Sequence, residues 1–224
     1  MKKRILSILL LCCMVLTMLP TTVLAADGPM DTIPKYDVSI DVYNRTSDIS
    51  IKDSRSYYIY SSVPDKLRDT WAWDKKIFIK GDKTAPHVFI DGVNIKMSPS
   101  SKGPAIELNK KASAYLYFIG KDSTLQGADG RAAIQKNRSE GQLYVLARTG
   151  TTVTCKGGYR AAGIGGSWAI RNIGDSMFNM DMYGHGVNMH FGSQSNPDYW
   201  GGTINATGGE YGAGIGAGSW GHSG

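Results

Sequence analysis

Cysteine is scarce in this chain. Cys12 and Cys13 sit inside the first apolar run, and only Cys155 lies beyond it, so the body of the protein can form no internal disulfide and must be held by burial and backbone pairing. Long apolar runs are equally rare. The one from Ile5 to Leu19 is too short for a comfortable membrane span and no second run follows, which argues against a transmembrane anchor. Excess charge is small too. Removing Lys2, Lys3 and Arg4 with a leader takes the formal charge of +6 to +3, because no Asp or Glu precedes Asp27, and that is too mild a balance to point to nucleic acid. Beyond residue 76 there is no sustained helical periodicity, so the chain is read as β throughout.

The start itself is informative. A basic Lys2-Lys3-Arg4, the apolar run, Pro20 and the small-residue ending Val23-Leu24-Ala25 form the pattern of a secretory signal peptide over residues 1–25. The expectation is a secreted, extracellular, soluble chain of about 199 residues, possessing enough length for one sizeable core. Leucines precede Cys12 and Cys13, which removes the lipoprotein reading.

Glycine is abundant but uneven: nine of the 28 precede residue 157 and nineteen follow from Gly157 on, which directs attention to internal repeats. TVTCKGGYRAAGIGGSW from Thr152 and TINATGGEYGAGIGAGSW from Thr203 share seven identities in fourteen positions at a shift of 51. STLQGADGRAAIQ aligns 30 residues earlier, bringing Gly127, Ala132 and Ile134 onto Gly157, Ala162 and Ile164, and VNIKMSPSSKGPAIEL aligns about 28 residues before that. The period is near 30 with an extra stretch at about 169–200. Short runs such as YLYFIG, QLYVLAR and TTVTC carry the strand signature, and three strands with three turns fit one repeat. This arithmetic predicts a parallel β-helix over residues 76–224, with Ile164 and Ile215 inward and Cys155 beside Val153 in the core. Residues 26–75, β-rich but without the Gly motif, are expected to cap the first coil. The ending GHSG, with no polar closing element, reads as a truncated end of a longer array or one covered by a partner.

The residues TVTCKGGYRAAGIGG and INATGGEYGAGIG, with DGVNIKM and GPAIELN upstream, resemble the bacterial secreted carbohydrate-binding domain-containing proteins over roughly Asp48 to the end. The resemblance implies a non-catalytic, right-handed parallel β-helix at a cell surface, with a plant-type polysaccharide such as cellulose or pectin as partner. It departs from the family between Ala169 and Trp200.

Sugar C–H faces stack on exposed aromatic rings. Trp168 and Trp220, each behind a Gly-Ser, are therefore candidate rungs of a carbohydrate-binding ladder about 4.8 Å apart; Tyr159 and Tyr211 in the same motifs join them. The competing expectation is that these rings only cover a turn. Asp122 and Asp129 flank a turn that could hold a metal, with calcium the candidate ion. Tyr57, Tyr58, Tyr60, Trp71 and Trp73 are expected in the core of the cap, with one of the two tryptophans facing outward. His185 and His190 fall on opposite faces of a strand. No Arg, Lys and carboxylate cluster marks catalysis. A divergent polysaccharide lyase and a purely structural surface spacer are the alternatives to a binding module.

Overall fold

A computed structural model describes residues 33–101, 103–109, 111–136, 140–168, 185–193, 196 and 198–219. The expected leader, most of the 169–200 stretch, Trp220 and the GHSG ending lie outside them. The described chain is a parallel β-solenoid with three sheets.

Four complete coils each contribute one strand to every sheet: β5 (His87–Asp91), β6 (Asn94–Lys96) and β7 (Ile106–Asn109); β8 (Ala114–Ile119), β9 (Ser123–Gln126) and β10 (Ile134–Lys136); β11 (Leu143–Ala147), β12 (Thr152–Lys156) and β13 (Ile164–Gly165); β14 (Met189–Phe191), β15 (Thr203–Thr207) and β16 (Ile215–Gly216). Two two-stranded coils precede them, β1 (Val38–Asp41) with β2 (Ile49–Ile51) and β3 (Ser56–Tyr60) with β4 (Ile77–Lys80). Sheet A runs β1-β3-β5-β8-β11-β14, sheet B runs β2-β4-β7-β10-β13-β16, and sheet C runs β6-β9-β12-β15. Strands β1, β2 and β3 thus pair in register within sheets A and B, so residues 38–60 of the segment expected as a cap are themselves coils. Alternation of apolar residues does the work there without the Gly motif. Within the stretch expected as an insertion, Met189–Phe191 is the strand that continues sheet A.

The register reproduces the repeat alignment. Ile134 pairs with Ile106 and Ile164, and Ile164 with Ile215. With Ile49 and Ile77 below, six isoleucines form one inward column along sheet B. Sheet C adds Ile95, Leu125, Cys155 and Ala206, and Trp73 extends this column through a single bridge to Ile95. Cys155 and Val153 share the core, while Trp73 is buried and Trp71 half-buried. The column Ile51–Ile79–Leu108 ends at Lys136, whose ammonium reaches the Glu140 carbonyl at 2.9 Å and is pushed down to about 8 by burial.

Close stacking decides where glycine is needed. A Cβ on Gly158 would stand 1.9 Å from the carbonyl oxygen of Ala128, and one on Gly209 would stand 2.0 Å from that of Gly158. Coils can only lie this close at the corner if the side chain is absent. Side chains also staple coil to coil. The carboxylates of Asp37, Asp91 and Asp122 accept the amides of Ser56, Lys121 and Thr152 at 2.8, 2.8 and 2.7 Å, and the Asn94 amide oxygen accepts that of Thr124 at 3.0 Å.

Ile134 is fully buried in the middle of its column, whereas Ile215 at the last described coil is 46% exposed. Urea unfolding should therefore show Ile134→Ala losing about 3 kcal/mol and Ile215→Ala less than about half of that. Equal losses at the two positions would contradict the continuous core.

Candidate binding surfaces

Two aromatic assemblies are exposed to different degrees, and their geometry separates their roles. On the outer face of sheet A, register places His87, Tyr115, Tyr144 and His190 in one column. Their rings stack at 4.6, 4.5 and 4.5 Å with interplanar angles of 9°, 7° and 15°. A second column sets Phe89 on Tyr117 at 4.9 Å, and Trp200 leans on Tyr117 at 5.1 Å. Polar contacts fix the rings: His87 Nδ1 and the Tyr117 hydroxyl lie 3.0 Å apart, and the Tyr58 hydroxyl donates to Asp91 at 2.8 Å. Burial, reinforced by Tyr115, pushes the Tyr117 phenol up to about 12. Rings stacked this way spend their faces on one another. What they offer solvent is edges and hydroxyls, which suits stability better than the C–H stacking a sugar needs.

The second assembly sits at the corner between sheets C and B. Gly130, Arg160 and Tyr211 occupy equivalent turn positions in three successive complete coils, all with positive φ, at 72°, 60° and 63°. Gly130 bears this conformation freely. For Arg160 and Tyr211 it costs about 1–2 kcal/mol each, and strain of this kind is concentrated at functional sites. The turn projects side chains into a cluster. The Arg160 guanidinium lies 5.0 Å from the Tyr159 ring, 4.9 Å from the Trp168 ring and 5.7 Å from the Tyr211 ring. Tyr159 and Trp168 meet edge to face at 6.2 Å and 80°. Tyr159 is 40% and Tyr211 69% exposed, so unlike sheet A this corner leaves ring surface open. Arg160 Nε is buried without a hydrogen-bond partner.

Three of the four residues expected to bind sugar, Tyr159, Trp168 and Tyr211, are thus brought together; Trp220 lies outside the described residues. The Trp168 amide donates to the Gly130 carbonyl and, one coil on, the Ser219 amide donates to the Arg160 carbonyl, so Ser219 stands where Trp168 stood. Ala217 in turn stands where Gly166 stood, each carbonyl accepting an alanine amide of its own coil, Ala213 and Ala162. Asp122, expected as half of a calcium turn, has its Oδ1 committed to the Thr152 amide, and no group of three His, Cys, Asp or Glu that could hold a metal occurs among the described residues. Cys155 is walled in, and burial pushes its thiol up to about 12. Sequence reasoning missed the sheet A columns and Arg160. A shift of 29, between the 28 and 30 of the flanking repeats, aligns Tyr115 with Tyr144 and would have found the first.

Compared with protein-family models, curated proteins and solved structures, the chain matches none. No helix among the described residues is long and apolar enough to cross a membrane.

Two measurements check this assignment. Asp122→Ala should lower stability by about 1–2 kcal/mol to the same extent in EDTA and in calcium, because it strips a backbone staple. Cys155 should resist a thiol reagent at pH 8 in the folded protein and react promptly in urea; rapid labelling of the native chain would mean that the core at β12 opens.

Proposed function

We propose that this chain is an extracellular, non-catalytic carbohydrate-binding or adhesin-like module, exported through its leader, that holds a plant-type polysaccharide such as cellulose or pectin. The observation that carries the reading is the Tyr159–Arg160–Trp168–Tyr211 corner. Two non-glycine residues are held in left-handed turns there, and open ring surface surrounds a guanidinium. Rings supply faces for sugar C–H groups, and the guanidinium edge supplies donors for ring oxygens, hydroxyls or a uronate carboxylate. Stacking on three rings fixes Arg160 as a donor, a role suited to holding a sugar and unsuited to taking a proton from one. The resemblance of the AGIG motifs to secreted carbohydrate-binding β-helix proteins supports the same reading, as does the signal-peptide pattern for its location.

Retention on insoluble cellulose and on pectate, with and without EDTA, tests the proposal, together with absorbance for unsaturated uronide release. Retention without release is expected. Tyr211→Ala and Arg160→Ala should each weaken retention roughly tenfold while leaving the far-ultraviolet spectrum unchanged. Release of uronide would turn the assignment to a polysaccharide lyase, and undiminished retention in both variants would remove the corner as the site.

A further inference from the structure

A separate hollow opens on the outer face of sheet C. The second coil has no strand there; instead residues 64–72 loop outward and return to the stack at Trp73, whose amide donates to the Asn94 carbonyl at 2.8 Å. The loop is tied down over the next two coils. Arg68 Nη1 donates to the Gly92 carbonyl at 2.9 Å, the Arg68 carbonyl accepts from Asn94 Nδ2 at 3.0 Å, and Asp65 pairs with Lys121 at 2.8 Å. Beneath it lies a cleft of about 300 Å³ lined by Asp69, Thr70 and Trp71 from the loop and by Lys96, Thr124 and Gln126 from the sheet.

Its chemistry is selective. Trp71 is half-buried and braced edge-on by Tyr43 at 5.4 Å, a rigid aromatic wall. Among the described residues, the side chains of Asp69, Lys96, Thr124 and Gln126 have no hydrogen-bond or ion-pair partner, so a carboxylate, an ammonium, a hydroxyl and an amide converge on one hollow with their capacity unspent. One anion and one cation leave the lining formally neutral. An aromatic wall with mixed donors and acceptors and no net charge fits a neutral, polyhydroxylated ring. Beyond the cleft the floor stays open along sheet C, where Gln126 stands in register with Lys156 and Thr207, and Thr124 with Thr154 and Asn205. The loop closes the other end.

Resting on the carbohydrate reading but on a cleft built from residues other than those of the corner, we infer that this cleft receives the terminal sugar of a neutral linear saccharide, whose following units lie along the polar rows of sheet C. A track stopped at one end recognises a chain end, whereas the open corner can seat internal units.

Isothermal titration of the secreted chain against cellohexaose, xylohexaose, mannohexaose and maltohexaose tests this. At least one should bind, at one protein per saccharide chain whether that chain is short or long. Gln126→Ala and Lys96→Ala, on solvent-facing sheet positions, should weaken it tenfold or more; Trp71→Ala should do the same, and Tyr211→Ala should leave it within twofold. Binding that ignores Gln126, Lys96 and Trp71 overturns the cleft. Loss in Tyr211→Ala alone would leave the corner as the saccharide site and remove this one. Stoichiometry that rises with chain length overturns end recognition, and no binding of any hexasaccharide overturns the proposal while retention on polysaccharide still decides the corner.

Discussion

Parallel pairing of one coil on the next, in register, is the constraint from which the rest of this structure follows. In such pairing each residue stands over its counterpart about 4.8 Å away, so a residue type chosen once is met by whatever the next repeat carries at that position. The interior satisfies this with like on like, six isoleucines deep along sheet B. Polar residues obey the same rule outside: Asp37, Asp91, Asn94 and Asp122 each reach the amide one coil ahead and thereby extend the ladder around corners where the strands have ended.

The rule also limits what a regular face can recognise. Aromatic residues stacked at 4.5 Å satisfy each other and present their rims, which is why the most conspicuous aromatic surface, sheet A, serves cohesion. Open ring faces arise where the repeat is broken. At the corner, Arg160 and Tyr211 replace the glycine of the preceding coil, and a cation among the rings prevents them from closing on one another. At the other end of the stack a strand is missing from sheet C and a loop with Trp71 takes its place.

Much of the fold could be read from the sequence because the AGIG motif carries its own register. The shifts of 51, 30 and 28 residues are the pairings Ile164 with Ile215, Ile134 with Ile164, and Ile106 with Ile134. The inward placing of Cys155 followed from alternation with Thr152 and Thr154 in one strand. Other features depend on what lies beside a residue in space. Residues 38–60 lack glycine at their corners and so looked like a cap, although Ile49, Ile51 and Ile59 are as deeply buried as any later rung. Trp168 and Trp220 read as rungs because both follow Gly-Ser; Trp168 joins the cluster around Arg160, and the position equivalent to it one coil on is held by Ser219. Asp122 reads as a metal-ligand candidate because a carboxylate in a turn is ambiguous in sequence; the structure adds that its Oδ1 accepts the Thr152 amide.

That ambiguity shows where specificity can reside in a molecule of this kind. A perfectly repeated face offers the same group at every step, so it binds any register of a repeating ligand about equally and discriminates little. Discrimination needs a position unlike its neighbours, held against the tendency of the stack to even it out. The left-handed turns at Arg160 and Tyr211 meet that condition through backbone strain, and the 64–72 loop meets it through three anchors, at Gly92, Asn94 and Lys121. Both draw their rigidity from the regular coils around them, so the monotony of the solenoid is what would give its two irregular places the precision that the proposed ligand selection requires.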